Sequence, residues 1–318
     1  MKKDLKNNVH LEGRLYQHNL SLKTTGPNSK APGTQFISGT LDVATNDNIT
    51  NIVTVHYTYV TAKYGSSGKD NPNFKVLNDI IDGKYLTCMA DGSDVATKVS
   101  IDTNIGLNDF YSDRDKDENG EPKLVSAKRN EGGFIRIVKD LKDLAKDRNN
   151  FTVDIVITGM TRREADPDRD LPEKGIIKGA IFDFRNALLP VEFSVTAPQA
   201  IDYFEGLEPS AKNPVFTRVK GTEVSEVVKR TITQEGAFGD EVREVNSTRR
   251  DWVITWAQAE PFEWDSEETI TAAELTKAMQ DRQIYLAEVK KRYDEYKESQ
   301  GNAIAATPTK NTAATFEF

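Results

Sequence analysis

Cationic and aromatic side chains stand two residues apart near the start of the chain, in the stretch NNVHLEGRLYQHNLSL at residues 7–22. The stretch alternates apolar and polar positions, as a β-strand with one buried face does. Arg14 and Tyr16 share the exposed face, and Phe36 falls on the exposed face of the next predicted strand. Rings on such a face can stack bases and cations can neutralise phosphates, so the two strands predict a flat surface suited to single-stranded nucleic acid.

Further residues would extend this surface. Lys23 and Lys30 fall in the loop after the first strand, and Lys63 and Tyr64 end the third. Tyr57 and Tyr59, also on the third strand, are predicted to belong to the core instead. The complete predicted contact set for single strands is Arg14, Tyr16, Lys23, Lys30, Phe36, His56, Lys63 and Tyr64.

The charge distribution favours a local basic surface. The 318 residues carry a net charge of −8, which argues against a protein that coats duplex DNA, since such proteins are usually basic. Residues 1–64 nevertheless hold seven Lys/Arg and four Asp/Glu, a difference of +3. An acidic total does not exclude single-strand binding, because the charge of the binding groove matters more.

The sequence has no residue pattern typical of an enzyme. It lacks a Gly-rich loop ending in Lys-Ser/Thr, and no carboxylate pair stands out. Its three histidines, His10, His18 and His56, do not have the spacing of a zinc site. The single cysteine, Cys88, cannot form an internal disulfide and is predicted to be a buried, inert thiol. We therefore expect a binding protein without catalytic residues, metal or cofactor.

One acidic stretch, YSDRDKDENGEP at residues 111–122, carries part of a calcium motif. Asp115-x-Asp117-x-Asn119-Gly120 matches the first half of an EF-hand loop, but the twelfth position is Ser126 instead of Glu. The stretch favours a solvated hairpin tip with Asn119-Gly120 at the turn.

The elements that would position these residues are mostly strands. Three strands at residues 7–22, 34–45 and 51–64 precede a short helix at 72–82 and strand-like segments at 84–90, 95–102, 133–138 and 151–160. This order predicts a closed barrel within residues 1–165. A second β-rich region at 176–264 is either another barrel or part of one extended β domain, because the segment between them, 161–175, is short.

The fold is thus predicted to be mainly β, with a long amphipathic helix over residues 271–299. Thr271-Ala272-Ala273-Glu274 is a capping box. A heptad stripe, interrupted by Arg282, consists of Leu275, Met279, Leu286, Val289, Tyr293 and Tyr296. The stripe favours packing on the chain's own β-structure, and a homo-oligomeric coiled coil is the alternative.

Residues 300–318 are small and polar and predict a flexible tail. The tail ends in Phe316, Glu317 and Phe318, which could enter a pocket of a partner protein. No apolar run approaches the roughly 18 residues that would span a membrane, and the N-terminal lysines precede no apolar core. We therefore expect a cytoplasmic protein.

Asn8-Val9-x-Leu11-x-Gly13-Arg14-Leu15 resembles the N-x-V-x-L-x-G-R-L opening of bacterial and phage single-stranded DNA-binding proteins. FISGTLDVATND stands where that family has its second strand, and the Phe-ending tail is similar to the family's partner-binding tip. The resemblance covers residues 7–64 and the last three residues. It implies an OB-fold barrel, single-stranded DNA as ligand, Arg14 as a DNA contact, and a tail that recruits replication or recombination proteins.

Three function classes follow from these patterns, and the third is an RNA- or protein-binding adaptor built on the same barrel. The first is a phage- or virus-encoded protein that binds and protects single-stranded DNA during replication or recombination. The alternative is a structural or assembly protein of a virion, for which many strands, a heptad helix and a net charge of −8 would also be suitable. Salt-sensitive binding to single strands separates the DNA-binding class from the structural class.

Overall fold

The computed structural model describes the backbone of residues 5–65, 67–166, 172–234, 241–264 and 269–305, and their side chains except those of 226–249 and 300–305. The described residues form an 11-stranded sheet and five helices. The strands are β1 Asn7–His18, β2 Ser21–Thr24, β3 Gln35–Ala44, β4 Ile52–Thr61, β5 Lys98–Lys116, β6 Pro122–Ile137, β7 Asn149–Arg163, β8 Lys174–Phe182, β9 Leu188–Val195, β10 Val215–Gln234 and β11 Glu241–Ala257. The helices are α1 Pro72–Ile81, α2 Cys88–Asp91, α3 Ala145–Arg148, α4 Pro198–Gly206 and α5 Ala272–Ala305.

The first five long strands close into a ring. β1 pairs with β3 on one side and β5 on the other, β3 pairs with β4, and β5 pairs with β6. The ring closes through parallel pairing of β4 with β6, where Val55 faces Asn130. This order, with α1 between β4 and β5, is that of an OB fold and confirms the N-terminal barrel predicted from the sequence.

Gly13 permits the closure of this ring. A Cβ atom at this position would lie 2.1 Å from the carbonyl oxygen of Ala44 on β3, a distance that no side chain tolerates. The chain therefore needs glycine at this close approach of β1 to β3.

The second β-rich region repeats the same arrangement. β7 pairs with β8 and β10, β8 pairs with β9, and β10 pairs with β11. The parallel contact of β9 with β11, between Ser194 and Val253, closes this ring, and α4 lies between its third and fourth strands. The region is a second OB-like barrel. The sequence prediction placed the residues of β7 in the first barrel. In the structure, β7 belongs to the second ring and also pairs with β1 of the first.

The two barrels share one apolar core cluster. Its buried residues include Leu15 and Ile101 of the first barrel and Phe193 and Val219 of the second. Between them lies Phe151 on β7, whose ring centroid is 5.1 Å from that of Phe193. Because the cluster is continuous across the junction, neither ring buries its apolar face independently of the other.

The hairpin of β5 and β6 is longer than the sequence predicted. Its strands cover residues 98–116 and 122–137, so the acidic stretch that was expected between them is itself mostly strand. The predicted tip is confirmed, since the Gly120 N–H donates to the Asp117 carbonyl at 3.0 Å and Gly120 has a φ of 81°. The predicted strand at 84–90 is wrong, because Thr87 caps the short helix α2 there.

Helix α5 packs on both barrels. Near its start, Leu275 and Ala278 contact an apolar cluster of the second barrel that includes Phe182 and Phe216. Farther along, Arg282 donates to both carboxylate oxygens of Asp109 on β5, at 2.7 and 2.5 Å. Arg282 is therefore a docking residue of the helix and lies on its packed side. None of the described helices has the length and apolar character needed to cross a membrane.

Candidate nucleic-acid interface

Three neighbouring strands of the first barrel bring an aromatic pair and a lysine to one surface. Lys23 on β2 pairs in register with Phe36 on β3, which pairs with Thr61 on β4. The Phe36 ring lies 4.7 Å from the ring of Tyr59, centroid to centroid, with the planes tilted by 38°. Tyr59 is 51% exposed and Phe36 is half-buried. We call Lys23, Phe36 and Tyr59 the aromatic platform.

The prediction that Tyr59 belongs to the core is wrong, and a β-bulge is the reason. Ile37 pairs with Val60, but Gly39 pairs with Tyr57, so β4 contains one residue more than β3 between these positions. The extra residue reverses which face the following side chains occupy. Tyr57 remains in the core at 2% exposure, whereas Tyr59 turns outward and meets Phe36.

Three of the other predicted contact residues lie around this end of the barrel. Lys63 and Tyr64 lie just beyond Thr61, the last residue of β4; Lys63 is exposed and Tyr64 is half-buried. Lys30 is exposed in the loop between β2 and β3. The β2–β3 loop and the segment after β4 therefore carry two exposed lysines next in sequence to the strands of the aromatic platform, and their contact with nucleic acid stays a prediction.

Arg14 and Tyr16 do not join Phe36 on one face, so that expectation is corrected. Arg14 pairs with Ala44 at the opposite end of β3, eight positions from Phe36, or roughly 25 Å along the strand. Its Nε donates to the Ser93 carbonyl at 2.9 Å. Tyr16 lies in a second bulge, between Leu15 and Gln17. Sequence alternation alone could not place these side chains, because it does not give the register of β1 against β3.

His56 lies on the outer side of β4, opposite Thr40. Burial, and then the nearby Arg129 guanidinium, lowers the pKa of His56 below its ordinary value. The imidazole is therefore neutral near pH 7 and adds no cation there.

The amino-acid sequence places the chain in a family. A family model described as YorF matches residues 6–292. The chain belongs to the YorF family. No curated protein matches it. Among solved structures, this YorF member is similar to a deletion mutant of the single-stranded DNA-binding protein from Thermus aquaticus, at 10% sequence identity and a TM-score of 0.43. That match covers 81% of this chain and 95% of the other.

The described part of the YorF chain holds no group of three or more His, Cys, Asp or Glu side chains arranged to bind a metal ion. Cys88 lies half-buried in α2, and burial raises the pKa of its thiol. A raised pKa keeps the thiol protonated and unreactive near neutral pH. The predicted tail residues Phe316, Glu317 and Phe318 lie outside the described residues.

Proposed function

We propose that the chain binds single-stranded DNA through the aromatic platform of its first barrel. The observation that carries this proposal is the outward-facing pair of Phe36 and Tyr59 beside Lys23. β3 and β4 are the second and third strands of the OB ring, and OB folds bind oligonucleotides on this part of the barrel and on the adjoining loops.

The geometry of the platform is suited to unpaired bases. Tyr59 is 51% exposed although it is large and apolar, and its tilt against Phe36 leaves ring surface open to a ligand. A base that stacks on an exposed ring gains about 1–3 kcal/mol, and this gain requires that the base be free of its partner strand. Lys23, Lys30 and Lys63 then supply cations for the phosphates of the same strand.

The wider role that we propose follows from the resemblance of residues 7–64 to single-stranded DNA-binding proteins. In this role the chain protects single strands during replication or recombination without catalysing a reaction. Phe316, Glu317 and Phe318 would recruit partner proteins, and Arg14 and Tyr16 would contact DNA that extends toward the other end of β3.

The test compares oligo-dT binding by the wild type, Tyr59→Ala and the double variant Phe36→Ala/Tyr59→Ala. Loss of each ring should raise Kd by about 5- to 150-fold, which corresponds to 1–3 kcal/mol per stacked base. Tyr296→Ala is the matched control, because Tyr296 is 59% exposed on α5. Urea unfolding verifies that the variants are folded. Unchanged affinity in the folded double variant would exclude the platform as the binding surface.

A further inference from the structure

A second surface with an exposed ring and cations lies at the junction of the two barrels. The turn between β3 and β4, α3 and the start of β7 face the middle of β10 and the end of β11 across an open groove of about 800 Å³. Most of its lining residues are of polar types, and they include hydroxyl and amide side chains, among them Thr152, Thr222 and Asn150. Neither the sequence motifs nor the resemblance points to this groove.

Trp256 is the principal feature of the groove. It is 47% exposed, whereas Trp252 on the same strand is only 6% exposed. Trp256 pairs across the hairpin with Lys220, whose Nζ lies 4.8 Å from the centroid of the indole ring. An ammonium over an indole is a stable arrangement, and it places a phosphate-binding cation next to a stacking ring.

The charges that face the groove favour an anionic ligand. Lys146 and Lys220 are both exposed, and Asp147 is the exposed acid of the lining. Glu223 also lines the groove, but its carboxylate accepts a hydrogen bond from the Asn130 amide at 2.7 Å inside the barrel junction. Lys146, Lys220 and Asp147 therefore give the accessible surface of the groove a net charge of +1.

We propose that this groove is a second contact surface for single-stranded nucleic acid, with Trp256 stacking a base and Lys220 and Lys146 pairing with phosphates. The inference rests on the proposed function, because it assigns the same ligand class to a separate site. Phe36 of the platform and Thr45 of the groove stand at opposite ends of β3, roughly 30 Å apart along the strand. One strand must therefore be several nucleotides long to contact both surfaces.

The test measures affinity for a fluorescent 30-nucleotide oligo-dT together with quenching of the protein's own tryptophan fluorescence. Trp256→Ala should raise Kd by about 5- to 150-fold and remove most of the quenching. Trp256→Phe keeps an aromatic ring, so it should retain most of the affinity while losing the same quenching. Lys220→Ala should lower the slope of log Kd against log salt by about 0.7, as expected for one phosphate contact to a single strand.

Phe184→Ala is the matched control. Phe184 is 62% exposed with Arg185 4.9 Å from its ring, so it is also an exposed ring beside a cation, but it lies outside this groove. Unchanged affinity and quenching in Trp256→Ala, with the wild type binding tightly, would overturn this inference and leave the platform proposal intact. If the wild type did not bind oligo-dT, both the platform proposal and the groove proposal would be overturned. If only the Phe36→Ala/Tyr59→Ala variant lost affinity, the groove proposal alone would be overturned.

Discussion

Glu223 shows how the environment of a single residue links the two barrels to pH. Its carboxyl group belongs to β10 of the second barrel and accepts a hydrogen bond from the Asn130 amide of the first, and the residue is half-buried. Burial raises the pKa of Glu223 to about 7, and the hydrogen bond from Asn130 and the nearby Lys128 only partly oppose this rise. The native carboxyl therefore stays protonated at pH values where the unfolded chain has already ionised.

This linkage predicts that the free energy of unfolding falls as pH rises between about 4.5 and 7. Below pH 4.5 the stabilising contribution of Glu223 is fully present, because the carboxyl is protonated in both the folded and the unfolded chain. Above pH 7 that contribution has been lost. At 1.4 kcal/mol per pKa unit, Glu223 accounts for about 3 kcal/mol of the change. Urea unfolding at pH 5 and pH 7.5 should show that Glu223→Gln removes this difference. Glu121→Gln, at the exposed hairpin tip, is the control, and an unaltered pH dependence in Glu223→Gln would contradict the assignment.

At the scale of elements, the docking of α5 depends on a buried ion pair. The side chains of Asp109 and Arg282 are 1% and 9% exposed. Breaking a buried pair from one side leaves an uncompensated charge, at a cost of about 3–5 kcal/mol. Asp109→Ala should therefore lower the free energy of unfolding by this amount. The double variant Asp109→Ala/Arg282→Met leaves no buried charge without a partner. It should therefore recover much of the free energy of unfolding that Asp109→Ala loses. A double variant no more stable than Asp109→Ala would contradict this account.

The sequence predicted the elements that local patterns determine. Alternation identified β1 and its buried Leu11 and Leu15, and the capping box at Thr271 identified the start of α5. The heptad stripe identified Leu286 and Val289 as packing residues, and they are half-buried and buried, but its members Met279 and Tyr296 are exposed, so the stripe was only partly right. A homo-oligomer formed through α5 remains a prediction.

Features that depend on pairing between distant strands were not predictable from local patterns. The bulge that turns Tyr59 outward arises from the register of β4 against β3, and the parallel contact of Val55 with Asn130 closes a ring over residues far apart in sequence. The same reason explains why Arg14 and Phe36 were expected on one face. The sequence did not identify Trp256 as an exposed ring, because the exposure of a side chain in a long strand depends on how the second barrel packs against the first.

At the scale of the whole molecule, Asn51 of the first barrel binds β10 of the second, and Asn149 on β7 of the second barrel supports the same stretch of β10. Asn149 accepts from the Glu223 N–H at 3.2 Å and donates to its carbonyl at 2.6 Å. Asn51 donates to the same carbonyl at 3.1 Å and accepts from the Ser225 N–H at 2.6 Å. Each backbone group left without a partner in the junction would cost about 1–3 kcal/mol.

The shared core and the bonds of Asn51 to β10 predict that the two barrels unfold together. Calorimetry of the wild type should show one transition for both. Asn51→Ala should lower the transition temperature and separate the melting of the two barrels, since it removes the side-chain bonds from the first barrel to Glu223 and Ser225 on β10. Asn119→Ala at the hairpin tip is the control. Two separate transitions in the wild type would show that the barrels are independent.

The central claim, that the chain binds single-stranded DNA, is tested most directly by measuring its affinity for a fluorescent 30-nucleotide oligo-dT at several salt concentrations, with duplex DNA as control. We expect tight binding to the single strand alone, weakening with salt at a slope of about 0.7 for each phosphate contact. Absence of binding at low salt, or equal affinity for the duplex, would contradict the claim and favour an assembly role.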